Sequence, residues 1–115
     1  MTEPGQIILV RFPQSDLAVG KLRPALLFGK LPGEYDDWLI CMISSQMRQY
    51  IPGFDEIIQE NDSDFIQSGL KETSVIRIGR LAVVEEKLLL GAIGLLSFDR
   101  FERIKNRIAG WISRM

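Results

Sequence analysis

Residues 6 to 30, QIILVRFPQSDLAVGKLRPALLFGK, hold two short apolar runs separated by a polar connection, and reading that pattern decides the fold. The first run, residues 6 to 12, is rich in β-branched and aromatic side chains and stops at Pro13, which predicts a strand. The connection contains Pro13, Ser15, Asp16 and Gly20, the chemistry of a turn or loop. Pro24 then fixes its own φ and pushes Arg23 toward extended geometry. The segment RPALLFG is therefore a second strand with its proline at the start and Arg23 at a loop-to-strand junction.

Working outward, LPGEYDD is a turn cluster, and WLICMISS, residues 38 to 45, is a third strand that is apolar on both faces. FDEIIQ, residues 54 to 59, reads as a fourth strand. Residues 62 to 69, DSDFIQSG, form a short helical turn capped by Asp62 or Ser63 and ended by Gly69. Residues 74 to 84, SVIRIGRLAVV, make a long strand with a bulge or bend at Gly79, and GAIGLL is a last short strand. Ser97 suits a helix N-cap, and Phe98, Phe101, Ile104, Ile108, Trp111 and Ile112 recur at spacings of three and four. Five or more short strands followed by one amphipathic helix predict a mainly β protein, a small barrel-like sheet with the C-terminal helix covering one face.

Composition narrows the chemistry. With 115 residues, 46% of them apolar, the chain is the size of one ordinary globular domain. It contains no histidine, so Ser-His and Cys-His nucleophile pairs are excluded and a structural zinc site lacks its usual ligands; no metal and no cofactor are expected. The single Cys41 reads as a small core residue. No glycine-rich phosphate loop of Walker or Rossmann spacing occurs. No apolar run approaches the ~20 residues of a membrane span, and MTEPGQ does not resemble a signal peptide, so a cytoplasmic protein without membrane contact is expected.

The net charge of −1 does not advertise a nucleic-acid binder, but its distribution is uneven. Arg11, Lys21, Arg23 and Lys30 gather in the first 30 residues, whereas residues 55 to 64 hold five carboxylates and no cation. A polyanion site is expected near the first segment and away from the second, which reads as a surface loop. Lys21 and Arg23, with Ser44 and Ser45 at another strand's end and Gln46 next, suit a phosphate. An arginine offers a fixed fork of donors and stays charged at any accessible pH. The structural alternative is that Arg23 caps a turn and Ser44 merely ends a strand. Trp38, Phe98, Phe101 and Trp111 are expected in the core, Arg100, Arg103, Lys105 and Arg107 on a solvated helix face, and Met47 and Tyr50 exposed beside the site.

The segments GQIILVRFPQSDLAVGKLRPALL, LICMISSQ and GLKETSVIRIGRLAVVEEKLLLGAIGLLS, in that order with the closing helix, resemble the MazF/PemK family of bacterial toxins over nearly the whole chain. The resemblance implies a single domain spanning residues 1 to 115, an SH3-like barrel of the CcdB/PemK type. It also implies a homodimer, an antitoxin partner, and sequence-specific cleavage of single-stranded RNA by 2′-hydroxyl attack on the phosphate. By the same resemblance Arg23 would be the main catalytic cation, and Ser44, where the family commonly has threonine, would hydrogen-bond the same phosphate. Lys21, Pro24, Ser45 and Gln46 would lie against the substrate. Arg77 falls where one branch of the family has a second catalytic arginine, while Gly79 stands where that branch has an aspartate. The rival expectations are a catalytically weak member acting as a protein- or nucleic-acid-binding module, and a gyrase poison.

Overall fold

The computed structural model describes residues 2–11 and 22–115. Six strands, β1 (Gln6–Arg11), β2 (Leu22–Lys30), β3 (Asp37–Ser44), β4 (Glu56–Ile58), β5 (Ser74–Glu85) and β6 (Leu89–Leu95), are joined by a one-turn helix α1 (Phe65–Ser68) and closed by helix α2 (Phe98–Ser113). The strands form one antiparallel sheet in the order β4-β5-β3-β2-β1-β6, open at β4 and β6. The architecture is mainly β with a terminal helix, as the sequence predicts, and each expected strand is present within a few residues of its expected ends. Phe12 and the predicted loop up to Lys21 lie outside the described residues.

Side-chain alternation divides the apolar residues between the two faces of the sheet. Ile7, Leu26, Cys41, Ile43, Ile58, Ile76 and Ile78 face α2 and pack with Leu96, Phe101 and Ile104. Ile8, Val10, Ala25, Leu27, Trp38, Ile40 and Val84 form a second cluster on the opposite face. Burial, and then the charge of Asp55, push the Cys41 thiol well above its usual range, consistent with an inert core residue. Trp38 and Phe101 are buried as expected; Phe98 instead is 75% exposed, because it directly follows the N-cap, where the helix has not yet turned its apolar stripe onto the sheet.

Helix α2 begins as read: the Ser97 hydroxyl accepts from the Arg100 amide at 3.3 Å. The short helix α1 differs, since its N-cap is Asp64 rather than Asp62 or Ser63, and the Asp64 side chain makes no capping bond because it is engaged elsewhere. Gly69 ends α1 in the left-handed region, φ 74°, as expected.

The acidic stretch is more than a surface loop, since Asp55, Glu56 and Asp64 are buried while Glu60 is exposed; on α2, Arg100 is buried and Arg107 half-buried against the expectation, whereas Arg103 and Lys105 are exposed as expected. Arg100, 9% exposed, donates from Nε to Asp64 at 2.8 Å, from Nη1 to Glu56 at 3.0 Å and from Nη2 to Asp62 at 3.1 Å. Arg103 and Arg107 add contacts to the Glu56 carboxylate at 2.9 and 3.1 Å. Asp55 is buried too, accepting from the Ile78 amide at 3.0 Å just before β4 begins, so a carboxylate extends the ladder that a carbonyl would have continued. Only Lys105, paired with Glu102 three residues away, follows the local helical pattern.

This cluster fixes the acid response. Burial raises the Glu56 pKa, but hydrogen bonds from Arg103 and then the charges of Arg103, Arg107 and Arg100 more than offset it, so the net shift is downward. The Arg100 hydrogen bond lowers that of Asp64 against a smaller opposing effect of burial. Both carboxylates thus add stability that is complete above the unfolded carboxylate range, ~pH 4, and drains away as pH falls through their lower folded values. Replacing Arg100→Met leaves three carboxylates without their shared cation and is expected to cost about 3–5 kcal/mol. Urea denaturation at neutral pH should show that loss, and an acid titration should show the wild type losing stability only below the ordinary carboxylate range.

Candidate functional site

Strand β2 pairs with β1 from Leu22 onward but with β3 only from Ala25, opposite Met42. Pro24 therefore occupies a stretch where no partner on the β3 side asks for its missing N–H. Continuing that register brings Arg23 level with Ser44 at the end of the sheet where the two strands part. Both residues share the face of Ala25 and Ile40, and so does Arg77, which pairs with Met42.

Two cavities meet along this line. One, of about 460 Å³, is lined by Leu9, Leu22, Pro24, Leu70, Lys71 and Glu72 among others; the second, of about 450 Å³, by Met42, Gln49, Arg77 and Arg80. Arg23, Ile43, Ser44 and Gln46 border both. The first cavity has mainly apolar walls, whereas the second brings three arginines together with no carboxylate among its described lining residues.

The structure thus brings Arg23, Pro24, Ser44, Ser45 and Gln46 around one cavity and Arg77 into the adjoining one. Lys21 lies outside the described residues. Arg23 is half-buried, and among the described residues no carboxylate lies within 4 Å of it. The Ser44 hydroxyl accepts from the Gln46 amide at 3.0 Å, which orients its oxygen and leaves its own proton free to donate toward the cavity. That bond supplies an orientation that the branched side chain of threonine enforces by its rotamer.

Arg77 reaches the groove through a register shift: Cys41 pairs with Leu81, yet the next residue, Met42, pairs with Arg77. Residues 78 to 80 form the extra loop of chain, as Gly79 had suggested, and the bulge turns both Arg77 and Arg80 to the same cavity. The pocket's other wall, residues 69 to 72, is set by backbone contact with β6. A Cβ at Gly94 would fall 2.2 Å from the Ser68 carbonyl group. Sequence reasoning missed Gln49, Lys71, Glu72 and Arg80; the paired glycines 69 and 94 were visible, but not that they touch. Met47 is exposed as expected, while Tyr50 is half-buried.

Among the described residues no group of three or more carboxylates or thiols is disposed to hold a metal ion. No helix is long and apolar enough to cross a membrane.

A small antiparallel sheet with an appended helix and an arginine-lined groove at one end defines the class: a mainly β protein of the SH3-like kind. The sequence matches the profile described as PemK-like, MazF-like toxin of type II toxin-antitoxin system over residues 3–112, and the chain belongs to that family. Among solved structures it is similar in fold to an endoribonuclease in complex with its cognate antitoxin from a mycobacterial species, with a TM-score of 0.66 and 14% identity, covering 98% of this chain and 96% of that one. No curated protein matches the sequence significantly.

The close approach at Gly94 gives a structural test. Gly94→Ala pushes a methyl into the Ser68 backbone and should destabilise the protein by about 1–3 kcal/mol. Amide chemical shifts of residues 69 to 72 should move while those of β2 and β3 stay in place.

Proposed function

We propose that this protein is the toxin of a type II toxin–antitoxin pair and an endoribonuclease that cleaves single-stranded RNA in the groove at Arg23 and Ser44. Family membership supports the toxin role, and the fold neighbour is itself an endoribonuclease held by an antitoxin. The observation that carries the reading is the guanidinium of Arg23, without an ion pair among the described residues, beside the oriented hydroxyl of Ser44 at the meeting of two cavities.

In the reaction the ribose 2′-oxygen gives up its proton and bonds to the adjacent phosphorus, the bond from phosphorus to the 5′-oxygen of the next nucleotide breaks, and that oxygen takes a proton from water. Such a step needs in-line positioning and a stabilised phosphorane more than a protein nucleophile, so neither histidine nor a metal is required of it. Arg23 neutralises the charge that builds on the non-bridging oxygens, and Ser44 donates a hydrogen bond to one of them. Pro24, Ser45, Gln46, Arg77 and Lys21 hold the substrate around them. Glu72 carries the only carboxylate lining either cavity among the described residues, and has the right chemistry to take the 2′ proton.

Unpaired RNA exposes base edges, so the groove selects by sequence, with loops of a second copy in a homodimer completing it. An acidic or amphipathic antitoxin segment occupies the same groove, since it presents the same sign of charge as RNA. The site of action is the cytoplasm.

Incubation of the purified protein with a long single-stranded RNA should give discrete fragments. Arg23→Ala should slow cutting by about 10²–10³-fold with folding retained, and Ser44→Ala by about tenfold or more. Ser44→Thr should stay active. Intact RNA in the presence of wild-type protein, or undiminished cutting by Arg23→Ala, would contradict the proposal.

A further inference from the structure

Phe54 and Asp55 line neither cavity, yet both close on the bulge that serves the groove. Strand β4 pairs with β5 up to Glu56 opposite Ile76, and continuing that register sets Phe54 level with Ile78. The Phe54 carbonyl is taken instead by Arg107 Nη1 at 2.9 Å. The Asp55 carboxylate fills the gap. Its Oδ1 accepts from the Ile78 amide and its Oδ2 from the Ile51 amide, each at 3.0 Å, so one buried side chain ties the turn at residues 51 to 55 to the first residue of the bulge. The Phe54 ring packs on the second: a Cβ at Gly79 would stand 3.0 Å from Phe54 Cε2. Behind that ring lies Trp111, edge-on, with centroids 5.0 Å apart.

Ile78 and Gly79 are the two residues between Arg77 and Arg80, both of which line the 450 Å³ cavity. Ile78 is buried on the α2 side of the sheet, so the bulge is held from the face opposite the groove. Residues outside the β3 ladder have no strand partner there to fix their direction, and long side chains keep a productive geometry only where the backbone beneath them is supported.

We propose that Phe54 and Asp55 are positioning residues of the groove: they hold the β5 bulge in the backbone geometry that directs Arg77 and Arg80 to the phosphates of a bound RNA strand, with Arg107 and Trp111 making helix α2 the support. The inference rests on the RNA reading above, which supplies the phosphates.

A randomised 2′-O-methyl dodecanucleotide, which cannot be cut because the nucleophile is blocked, reads that aim through the salt dependence of its binding. Each phosphate contact in a single strand adds ~0.7 to the slope of log affinity against log salt, so Arg77→Ala/Arg80→Ala should lower the slope by about 1.4. Phe54→Leu and Asp55→Asn leave every cation in place, yet each should reproduce at least half of that loss. Neither should weaken binding further in the Arg77→Ala/Arg80→Ala protein. Asp55→Asn is the sharper case. Its amide group has one oxygen where the carboxylate has two, so one of the two backbone amides loses its acceptor. Removing a negative charge would by itself strengthen binding to a polyanion, so weaker binding with a lower slope reports geometry.

A wild-type slope in folded Phe54→Leu and Asp55→Asn overturns the proposal, as does a loss of affinity that is equal with and without the two arginines. NMR spectra without RNA separate the two readings. Phe54→Leu should shift the amides of residues 77 to 80 and the Nε–Hε signals of both arginines, with those of β2 unmoved. That result in a protein that binds no oligonucleotide keeps the positioning role and loses its RNA target. Oligonucleotide binding with an undiminished slope in Phe54→Leu does the reverse.

Discussion

One guanidinium organises the charge of this molecule. Arg100 lies buried among Glu56, Asp62 and Asp64, and through them ties α2 to the edge strand β4 and to the start of α1. Three carboxylates without that cation would repel one another in a poorly hydrated site, and the cation without them would be stranded on the same terms. With Arg103 and Arg107 also drawn to Glu56, most of the chain's densest acidic stretch is spent against the helix. Arg23, Arg77 and Arg80, which line the groove, are left without an ion pair among the described residues. The groove is cationic in a protein of net charge −1 because its acids are sequestered elsewhere.

That division was only half legible in sequence. The clustering of cations near Arg23 and of acids in residues 55 to 64 could be read directly, and it correctly separated the two regions. What each cluster does could not, since Arg100 meets Asp64 across 36 residues and Arg103 meets Glu56 across 47, and no local periodicity reports a pairing of that span. An acidic run and an arginine-bearing helix face each look solvated when read alone. The strands and α2 were legible for the opposite reason, because β-branched runs, prolines and the Ser97 cap act within a few residues.

The groove shows the same contrast. Arg23 and Ser44 were marked by the proline next to one and the strand end at the other, and antiparallel register carries them to a common end of the sheet. Gln49 and Arg80 carried no such mark. Their placement depends on a 3-10 turn and on a bulge that swallows three residues of β5, geometry that a single Gly79 hints at without specifying which side chains it redirects. The wall at residues 69 to 72 likewise arises from contact between two glycine-bearing backbones distant in the chain.

Charge partition, an oriented hydroxyl and an arginine without an ion pair among the described residues together suit a reaction whose nucleophile belongs to the substrate. The protein's part is then to hold the phosphate and absorb its charge, which a chain without histidine is equipped to do. The chemical identity of the new ends made in RNA tests that account most directly. Attack by the 2′-oxygen requires a 2′,3′-cyclic phosphate on the upstream fragment and a 5′-hydroxyl on the downstream one, with no cut where the scissile nucleotide is 2′-deoxy. A 5′-phosphate and a 3′-hydroxyl at the cut, or cleavage that persists at a 2′-deoxy nucleotide, would show that water or another nucleophile performs the attack, and the account would fail.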